Sequence, residues 1–342
     1  MHRGFFSQVT QESLHQKVSE ALEWVGWTDK VKRDSTVFVK PNFTWPKFRP
    51  GVVTSPEFLS NLLPLLKDRA ARVIVGESDL PIFRTSRAFQ GMGIDKICEK
   101  AGAEMVELSQ GASTIVETEV QRRKVRIRLP KLIINDVDVL VNAPVPKCHV
   151  VTGMSGAMKN LYGLIPDPFR GNKHRHEINR AIVAVNKVVP SDLIVMDGLY
   201  SLAGRGPIMG KPVSTNVVIG TDNAVAADAI VCRFFQMDPN RIGHLRLAVM
   251  ERLGSTEEDM TEMANPVSAS IRLRPKRSVM DYFAILTFKS RIVNKAIMSS
   301  PITPLLYKAL KPFRSGHEEE MYNEDIGGLP QSQFARGQGN QS

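Results

Sequence analysis

Short apolar runs alternate with amphipathic stretches of helical length through the first two thirds of the chain. Six of these runs predict β-strands: "STVFVKPN", "RVIVGESD", "AEMVELS", "VDVLVNAPVPK", "SDLIVMDGLY" and "VSTNVVIGT". Continuous apolar runs of this length are typical of strands buried on both faces of a parallel sheet. Because helical patterns separate most of them, the chain is predicted to have an α/β fold, with parallel or mixed sheets and flanking helices.

The stretches between the strands predict the helices. One helix is expected over residues 8–26 and another over about 84–101. "SPEFLSNLLPLLKDRA" combines Ser55 as N-cap with Pro56 at the first helical position, which is a strong start signal. Further helices are predicted in "NRAIVAVNKVV", in "DNAVAADAIVCRFFQM" with Asp222 as its cap, and in "NRIGHLRLAVMERLG", and a hairpin in "TIVETEV" with "RKVRIRL".

The same pattern predicts the domain organisation. Residues 1–255 are expected to form an α/β core of two lobes around a cleft, divided near residues 136–145. Residues 256–316 are basic and amphipathic, and they predict a C-terminal helical extension. Residues 317–342 are polar and predict a disordered tail.

The charge of the chain favours an anionic partner. Lys and Arg number 45 against 35 Asp and Glu, which gives a net charge of +10. Much of the excess lies near the C-terminus, in "IRLRPKRS" and "KALKPFRS". No nucleic-acid recognition motif accompanies this charge, so sequence-specific nucleic acid is not an expected partner.

The cysteines restrict the possible cofactors. Cys98, Cys148 and Cys232 form no CxxC pair, which disfavours a disulfide scaffold, a zinc ribbon and an intrinsic iron–sulfur cluster. The sequence contains no apolar segment long enough for a signal peptide or a transmembrane helix. A reducing, cytoplasmic setting is therefore expected.

The segment "VPKCHVVTGMSGAMKNLYGLIP", residues 145–166, is the most unusual part of the chain. Thr152, Gly153, Ser155 and Gly156 lie where a strand is predicted to give way to a helix. Glycines allow backbone amides to turn toward a ligand, and a helix N-terminus adds partial positive charge, so an anion is expected here. The segment is not a GxxxxGK[ST] phosphate loop, because its lysine comes too late.

Lys159 is the main candidate within this segment. Ser155, Lys159 and Gly163 are spaced four apart, which predicts one helix face with open space beside the lysine at Gly163. A lysine in a pocket pairs with a phosphate or carboxylate, or acts as base or nucleophile when desolvation lowers its pKa. The alternative is a solvated surface lysine.

His149 is the second candidate, for proton transfer. It precedes Lys159 by ten residues, and His174 and His176 follow Lys159 by fifteen and seventeen. This local concentration suggests a metal site or a proton-transfer site. A single histidine after a strand is, however, more often structural.

Polar residues also follow other predicted strands. Because parallel strands end on one side of a sheet, these residues are expected to converge on the same cleft. Asp79 is a further catalytic candidate. Candidate substrate or cofactor ligands, besides the residues of the glycine turn, are Lys40, Asn42, Ser78, Lys147, Asn160, Asp197, Gly204 and Gly206.

The sequence resembles the uncharacterised domain-of-unknown-function family 362 over roughly residues 36–250. The match is carried by "VKPN", "VTSPEFL", "VIVGESD", "DVLVNAPVPKCHVVTGMSGAMKNLYGLIP", "DLIVMDGLYSLAGRGPIMGKP" and "IGTDNAVAADAIVCRFFQMDP". Some members of that family carry an added ferredoxin-like cluster domain, whose cysteine run this chain does not contain.

The spacing of His149, Gly153, Ser155, Gly156 and Lys159 also resembles, more distantly, the H…GxSGxxK…PG…H pattern of lactate racemases. That resemblance implies His149 as acid/base, Lys159 as the anchor of a nickel-pincer nucleotide, and His174 or His176 as the metal ligand. Asn42 and either Ser78 or Asp79 stand in the places of that family's arginine and second catalytic histidine.

Two functions follow as expectations. The first is an enzyme of the redox or racemase/isomerase class that binds an anionic small molecule, a nucleotide-derived cofactor or a divalent metal between the lobes. Lys159 would anchor the ligand, His149 would transfer a proton, and Asp79 or Asp197 would orient a base or metal. The alternative is a non-catalytic binding or scaffold protein whose basic C-terminal segment, with Phe283, Phe288, Ile292 and Leu306, contacts a membrane surface or an acidic protein.

Overall fold

The computed structural model describes residues 1–267, 269–278, 281, 282 and 285. The tail predicted at 317–342 lies outside these residues, as does most of the extension predicted at 256–316. Phe283, Phe288, Ile292 and Leu306 are therefore also outside the described part of the chain.

Ten strands form one mixed sheet, and two more form a separate hairpin. The strands are β1 (His2–Gln8), β2 (Thr36–Pro41), β3 (Arg72–Glu77), β4 (Glu104–Glu107), β5 (Ser113–Val120), β6 (Arg123–Pro130), β7 (Val139–Ala143), β8 (Lys147–His149), β9 (Gly153–Ser155), β10 (Leu193–Ala203), β11 (Lys211–Thr221) and β12 (Thr261–Met263). The main path of the sheet runs β12-β1-β11-β10-β7-β2-β3-β4, and β8 and β9 form a short hairpin beside β10. Strands β10, β7, β2, β3 and β4 are parallel, whereas β11 is antiparallel to both of its neighbours.

Helices cover the sheet. They are α1 (Leu14–Trp24), α2 (Trp27–Lys30), α3 (Pro56–Lys67), α4 (Thr85–Gly91), α5 (Ile94–Ala101), α6 (Lys131–Asn135), α7 (Ala157–Leu161), α8 (Arg170–Lys173), α9 (Ile178–Val188), α10 (Ala224–Phe234) and α11 (Gly243–Met250). The predicted α/β class, a mixed and mostly parallel sheet with flanking helices, is confirmed.

The sheet is buried on both faces, as its continuous apolar strands predict. Along β2, Val37 and Val39 belong to the core shared with α1 and α3, while Phe38 belongs to the opposite core, shared with α9 and α10. Side chains of successive residues in a strand point to opposite faces, so one apolar run supplies both cores.

The two predicted halves of the core meet within this sheet. Strand β7 occupies the predicted division at 136–145 and lies between β10 and β2. The sheet also continues past residue 255, because β12 pairs with β1. The candidate residues at the ends of β2, β3 and β7 are consequently placed by one continuous scaffold.

Three local predictions were wrong. The single helix expected over about 84–101 is divided into α4 and α5, with Gly93 between them at φ +67°. The helix expected over residues 8–26 begins only at Leu14, and β1 precedes it. Helix α10 is capped by Asn223, whose side chain accepts hydrogen bonds from the amides of Val225 and Ala226, both at 3.0 Å. Asp222 instead accepts a hydrogen bond from the backbone N–H of Arg3 at 3.1 Å, because β1 runs beside it.

The described part of the basic C-terminal segment packs against the core. Residues 269–278 form neither helix nor strand. The amide of Ile271 donates to the Phe234 carbonyl at 2.8 Å, and Leu273 is buried. Arg277 Nε donates to the carbonyl of Val150 at 2.7 Å, in the turn of the β8–β9 hairpin. This stretch therefore reaches the region of the candidate site.

Candidate anion-binding site

Lys40 and Glu77 form a closed, buried ion pair at the ends of the adjacent parallel strands β2 and β3. The Lys40 ammonium donates to the Glu77 carboxylate and, at 2.7 Å, to the carbonyl of Pro41. Glu77 also accepts a hydrogen bond from the amide of Ser78 at 2.9 Å. Burial lowers the pKa of Lys40, and the Glu77 charge opposes that shift. Both charges are therefore satisfied within the fold.

Helix α7 and the turn after it pack against this pair. Asn160 donates to the Lys40 carbonyl at 3.0 Å. A Cβ atom on Gly163 would lie 2.8 Å from Glu77 Oε1 and 3.2 Å from Lys40 Nζ, so only glycine fits there. The expected open space beside Lys159 at Gly163 is thus filled by the Lys40–Glu77 pair. The single helix face was also predicted wrongly, since Ser155 lies in β9 and Gly163 lies in a 3-10 turn.

Lys159 lies on α7 and differs from Lys40 in having no partner. It is partly exposed, and no described residue accepts a hydrogen bond from its ammonium or forms an ion pair with it. Burial, with the nearby charge of Arg170, lowers the pKa of Lys159 to about 8. Lys159 therefore carries a charge that the described fold leaves uncompensated.

Lys147 lies on β8 and is enclosed, with 1% of its surface exposed. Its ammonium donates to the carbonyl of Val52 at 2.6 Å. Burial lowers the pKa of Lys147 well below its ordinary value, and the charge of Lys159 lowers it further. The two lysines therefore oppose each other's protonation.

His149 ends β8, and its hydrogen bonds fix its tautomer. Its Nδ1 accepts hydrogen bonds from the amides of Val151 at 3.1 Å and Thr152 at 3.3 Å. Burial, followed by the charges of Lys159 and Lys147, lowers the pKa of His149 well below its ordinary value. The ring is consequently neutral with its proton on Nε2, which makes it a hydrogen-bond donor on that side.

Arg170 completes the group. It is 8% exposed, and its guanidinium donates to the carbonyl of Asp79 at 2.9 Å. We call Lys40, Lys147, His149, Lys159 and Arg170 the basic cluster. Nothing in the sequence pattern indicated Arg170, because it lies in a loop-like stretch eleven residues after Lys159.

The helix N-terminus at which the sequence predicts an external anion already holds a carboxylate of the protein. The fully buried Asp228 of α10 accepts hydrogen bonds from the amides of Ala157 at 2.6 Å and Met158 at 3.2 Å. Gly156 has to be glycine because a Cβ atom would collide with this carboxylate. Asp228 was not among the predicted site residues, and its position inside an apolar helix is the one signal for it in the sequence.

The rest of the predicted glycine turn is a strand hairpin. Gly153 and Ser155 lie in β9, with Gly153 at φ +86°. The Thr152 hydroxyl donates to the carbonyl of Met154 at 2.8 Å. These residues therefore shape the backbone around His149 and Lys159.

Comparison with known proteins identifies the family. The model of a domain of unknown function, DUF362, matches residues 37–233. The chain belongs to the DUF362 family. It is also similar to the thylakoid-associated protein sll1697 of Synechocystis sp., with 26% identity over 265 residues that cover 75% of this chain and 78% of that protein. A crystal structure of a Thermotoga maritima protein aligns with a TM-score of 0.34 and 12% identity, over 55% of this chain and half of that one.

All five residues of the basic cluster lie inside the DUF362 match. The loop that contains Gly204 and Gly206 supports the cluster from outside. The carbonyl of Gly206 accepts a hydrogen bond from the amide of Val150 at 3.0 Å, and a Cβ atom on Gly206 would collide with the Cys148 carbonyl. Gly206 thus allows the loop to pack closely against β8.

The predicted carboxylates of this DUF362 protein are held by backbone amides. Asp79 accepts hydrogen bonds from the Thr85 amide at 2.9 Å and from the Gln110 side chain at 3.1 Å. Asp197 accepts from the Ser55 amide at 2.6 Å, and burial raises its pKa to about 6. Their predicted roles in catalysis or metal binding stay predictions.

Asn42 and Ser78 lie close to the same strand ends. Asn42 is buried, and its backbone N–H donates to the Thr54 hydroxyl at 2.9 Å. Ser78 is 1% exposed, and its hydroxyl finds no hydrogen-bond partner in the described structure. Neither residue has a contact that decides its predicted role as a ligand.

The histidines predicted to bind a metal lie after α7. The His174 ring packs edge-on against Tyr162, with ring centroids 6.1 Å apart. His176 Nδ1 is buried and has no hydrogen-bond partner among the described residues. Within the described ranges, no group of three or more His, Cys, Asp or Glu side chains is arranged to hold a metal ion. The metal site at His174 and His176 stays a prediction.

The described part of this DUF362 chain also contains no helix with the length and hydrophobicity needed to cross a bilayer.

Proposed function

We propose that this protein binds a small anion, carrying a carboxylate or phosphate, at the basic cluster, and that it acts on that anion as an enzyme of the racemase/isomerase or redox class. The observation that carries the proposal is the Lys159 ammonium, which has no partner among the described residues and lies within electrostatic reach of Lys147, His149 and Arg170.

The charge balance of the cluster supports an anion. Among the described residues, Glu77 is the carboxylate that forms an ion pair with a cluster cation, and it is already bound to Lys40. Removing a charge from water without a counter-charge is costly, so an anion beside Lys159 would relieve an unfavourable interaction. Lys159 is more exposed than Lys40 and Lys147, so an incoming ligand would meet Lys159 first.

The geometry suggests a different division of roles from the sequence. A general base needs a lone pair, but His149 Nδ1 already accepts two amide hydrogen bonds. Lys159, with its pKa of about 8, is better suited to remove a proton near neutral pH. His149 would then donate a hydrogen bond from Nε2 to an oxygen of the substrate, as neutral histidines can.

A nucleotide-derived cofactor or a divalent metal also belongs to this proposal. A cofactor phosphate would offer the basic cluster the same charge as a substrate phosphate. The likeness to lactate racemases would make Lys159 the cofactor anchor. Native mass spectrometry with elemental analysis of the purified protein distinguishes a covalent adduct on Lys159, a bound nucleotide and a metal by mass.

Calorimetry of the full chain with inorganic phosphate, L-lactate and AMP tests anion binding. Replacing Lys159 by Met removes the uncompensated charge, so binding of the anion that the wild type accepts should weaken about tenfold or more. Replacing the exposed Lys131 by Met gives a matched control that should bind as the wild type does. The proposal would be contradicted if the wild-type protein bound none of the three anions while native mass spectrometry showed that it carried no ligand already.

The pH dependence has a definite sign. Only the protonated ammonium of Lys159 attracts the anion, and its pKa is about 8. Affinity should therefore be constant well below that pH and fall as the pH rises through about 8, toward the affinity of the Lys159→Met variant. A Lys159→Arg variant keeps its charge in this pH range, so its affinity for the anion should not change with pH.

A second candidate function is contact with an anionic membrane surface through the basic C-terminal segment. The similar Synechocystis protein is named thylakoid-associated. Sedimentation with vesicles containing anionic lipid, for the full chain and for a chain ending at Tyr282, tests this idea. That end point preserves the Arg277 contact with Val150. Equal sedimentation of both chains would exclude the membrane role, and a lysate partner held only by the full chain would favour an acidic protein instead.

The cysteines are compatible with the expected setting. Cys98, Cys148 and Cys232 are free and buried. We retain a reducing, cytoplasmic environment as part of the proposal.

A further inference from the structure

We infer that Lys159 is a nucleophile that forms an imine with a carbonyl-bearing anion of the 2-oxo acid type. This inference rests on the proposed anion site and adds a covalent step to it.

Among the three lysines of the basic cluster, Lys159 has the amine that is available. Lys40 is bound by Glu77 and by the Pro41 carbonyl, and it is completely enclosed. Lys147 is enclosed and donates to the Val52 carbonyl. Lys159 reaches the surface and has no hydrogen-bond or ion-pair partner in the described part of the chain.

The surroundings favour the unprotonated amine. Burial and the Arg170 charge lower the pKa of Lys159 to about 8, so about a tenth of the molecules hold a free amine at pH 7. For an ordinary exposed lysine, the fraction of free amine at pH 7 is more than about a hundredfold smaller. A lysine placed beside other cations is a known way to obtain an amine nucleophile.

The neighbouring groups suit a 2-oxo acid. Its carboxylate would be attracted by the charges of Arg170 and of Lys147 when that amine is protonated. Its carbonyl oxygen needs a donor that does not depend on a proton gained from solvent. Neutral His149 offers its Nε2–H, because Nδ1 is fixed as an acceptor by the amides of Val151 and Thr152.

The step balances without an oxidant. The unprotonated Lys159 nitrogen attacks the carbonyl carbon, the C–N bond forms, and the carbonyl oxygen becomes a hydroxyl by taking a proton from the nitrogen. The hydroxyl then leaves as water with a proton from solvent. The product is a protonated imine, whose positive charge comes from the solvent proton consumed when water leaves.

Reductive trapping tests the inference. The full-length protein is incubated near neutral pH with pyruvate and sodium cyanoborohydride, and digested peptides are mapped by mass spectrometry. We expect a reduced pyruvate adduct on the peptide containing Lys159, at about tenfold or greater yield over the peptide containing the exposed Lys131. Methyl pyruvate, which keeps the ketone and loses the charge, should label Lys159 several-fold more slowly if the cations guide the substrate.

The Lys159→Arg variant separates this inference from the proposed function. Arginine keeps the charge but cannot form the imine, so the variant should still bind pyruvate by calorimetry and lose the adduct. Pyruvate binding to the wild type without selective adduct formation would overturn the covalent step and leave the anion site intact. Absence of both binding and adduct would overturn the covalent step, and the anion site for this class of ligand.

Discussion

Lys40 and Lys159 lie close to the same strand ends, yet the fold treats their charges differently. Lys40 is fully enclosed and held by Glu77, whereas Lys159 reaches the surface and no described residue pairs with it. A paired buried charge belongs to the architecture, since its cost is offset within the fold. A charge left without a partner is where an external molecule has something to add. This difference, rather than the number of lysines, is the reason for proposing Lys159 as the residue that meets a ligand.

The largest effect should come from breaking the paired charge. Replacing Glu77 by Gln leaves the Lys40 ammonium enclosed without a counter-charge, and should cost about 3–5 kcal/mol of unfolding free energy. Urea denaturation measures it. Glu104→Gln, which breaks the exposed pair with Arg72, is a matched control expected to cost less than about 1 kcal/mol. Equal losses in the two variants would remove the distinction between enclosed and exposed pairs.

Asp228 provides the second test, because its carboxylate accepts hydrogen bonds from buried backbone amides, as the Glu77 carboxylate accepts one from Lys40. Asp228→Ala leaves the amides of Ala157 and Met158 without acceptors, and should destabilise the protein by about 2–3 kcal/mol. Asp228→Asn retains one acceptor oxygen and should lose less. Thermal unfolding of both variants checks the order, and an Ala variant as stable as the Asn variant would show that the amides find other partners.

The unpaired charge should behave in the opposite sense. Lys159→Met removes a charge that burial disfavours, so at pH 7 it should stabilise the protein by about 1–2 kcal/mol. The folded pKa of about 8 is below the unfolded value, so between these two values the unfolded chain binds more protons. Wild-type stability should therefore gain a contribution as pH rises from 8 toward about 10. The variant should lack that contribution, and identical pH profiles would contradict an uncompensated Lys159 charge.

The smallest effect concerns the C-terminal segment. Arg277→Gln removes one hydrogen bond to Val150 and one positive charge near His149. It should lower stability by about 0.5–1 kcal/mol and weaken anion binding about two- to threefold. Arg246→Gln, at an exposed position of α11, is the control. If the control lost as much affinity for the anion as Arg277→Gln, or more, the Arg277 charge would have no specific effect on anion binding.

Local signals in the sequence were sufficient for much of the fold. Ser55 accepts a hydrogen bond from the Phe58 amide at 3.1 Å and Pro56 is the first residue of α3, as their types predict. The apolar run of β2 correctly predicts burial on both faces. Strand β1 was missed because "HRGFFSQ" has no extended pattern of its own, and its pairing with β11 and β12 comes from residues more than 200 positions away.

The residues of the candidate site likewise fall into two groups, those that local sequence signals predict and those that only tertiary packing places. Lys40, Lys147, His149 and Lys159 were predicted, because residues at strand ends collect on one side of a parallel sheet. Arg170 was not, since its place depends on how the stretch after α7 folds back to the Asp79 carbonyl. Arg277 was assigned to a remote extension, because the sequence gives no sign that this stretch returns to the β8–β9 turn. Contacts made by irregular segments are set by tertiary packing alone.

The carboxylate that occupies the start of α7 has a consequence for how a ligand can be released. A backbone amide keeps its dipole at every pH, so an anion held by amides would be held under all conditions. Asp228 takes those amides out of use, so attraction of a ligand would depend on the cationic side chains of the basic cluster. The pKa of Lys159 is about 8, so this amine loses its charge when the pH rises above that value. A bound anion would then be released at moderately alkaline pH without any movement of the chain.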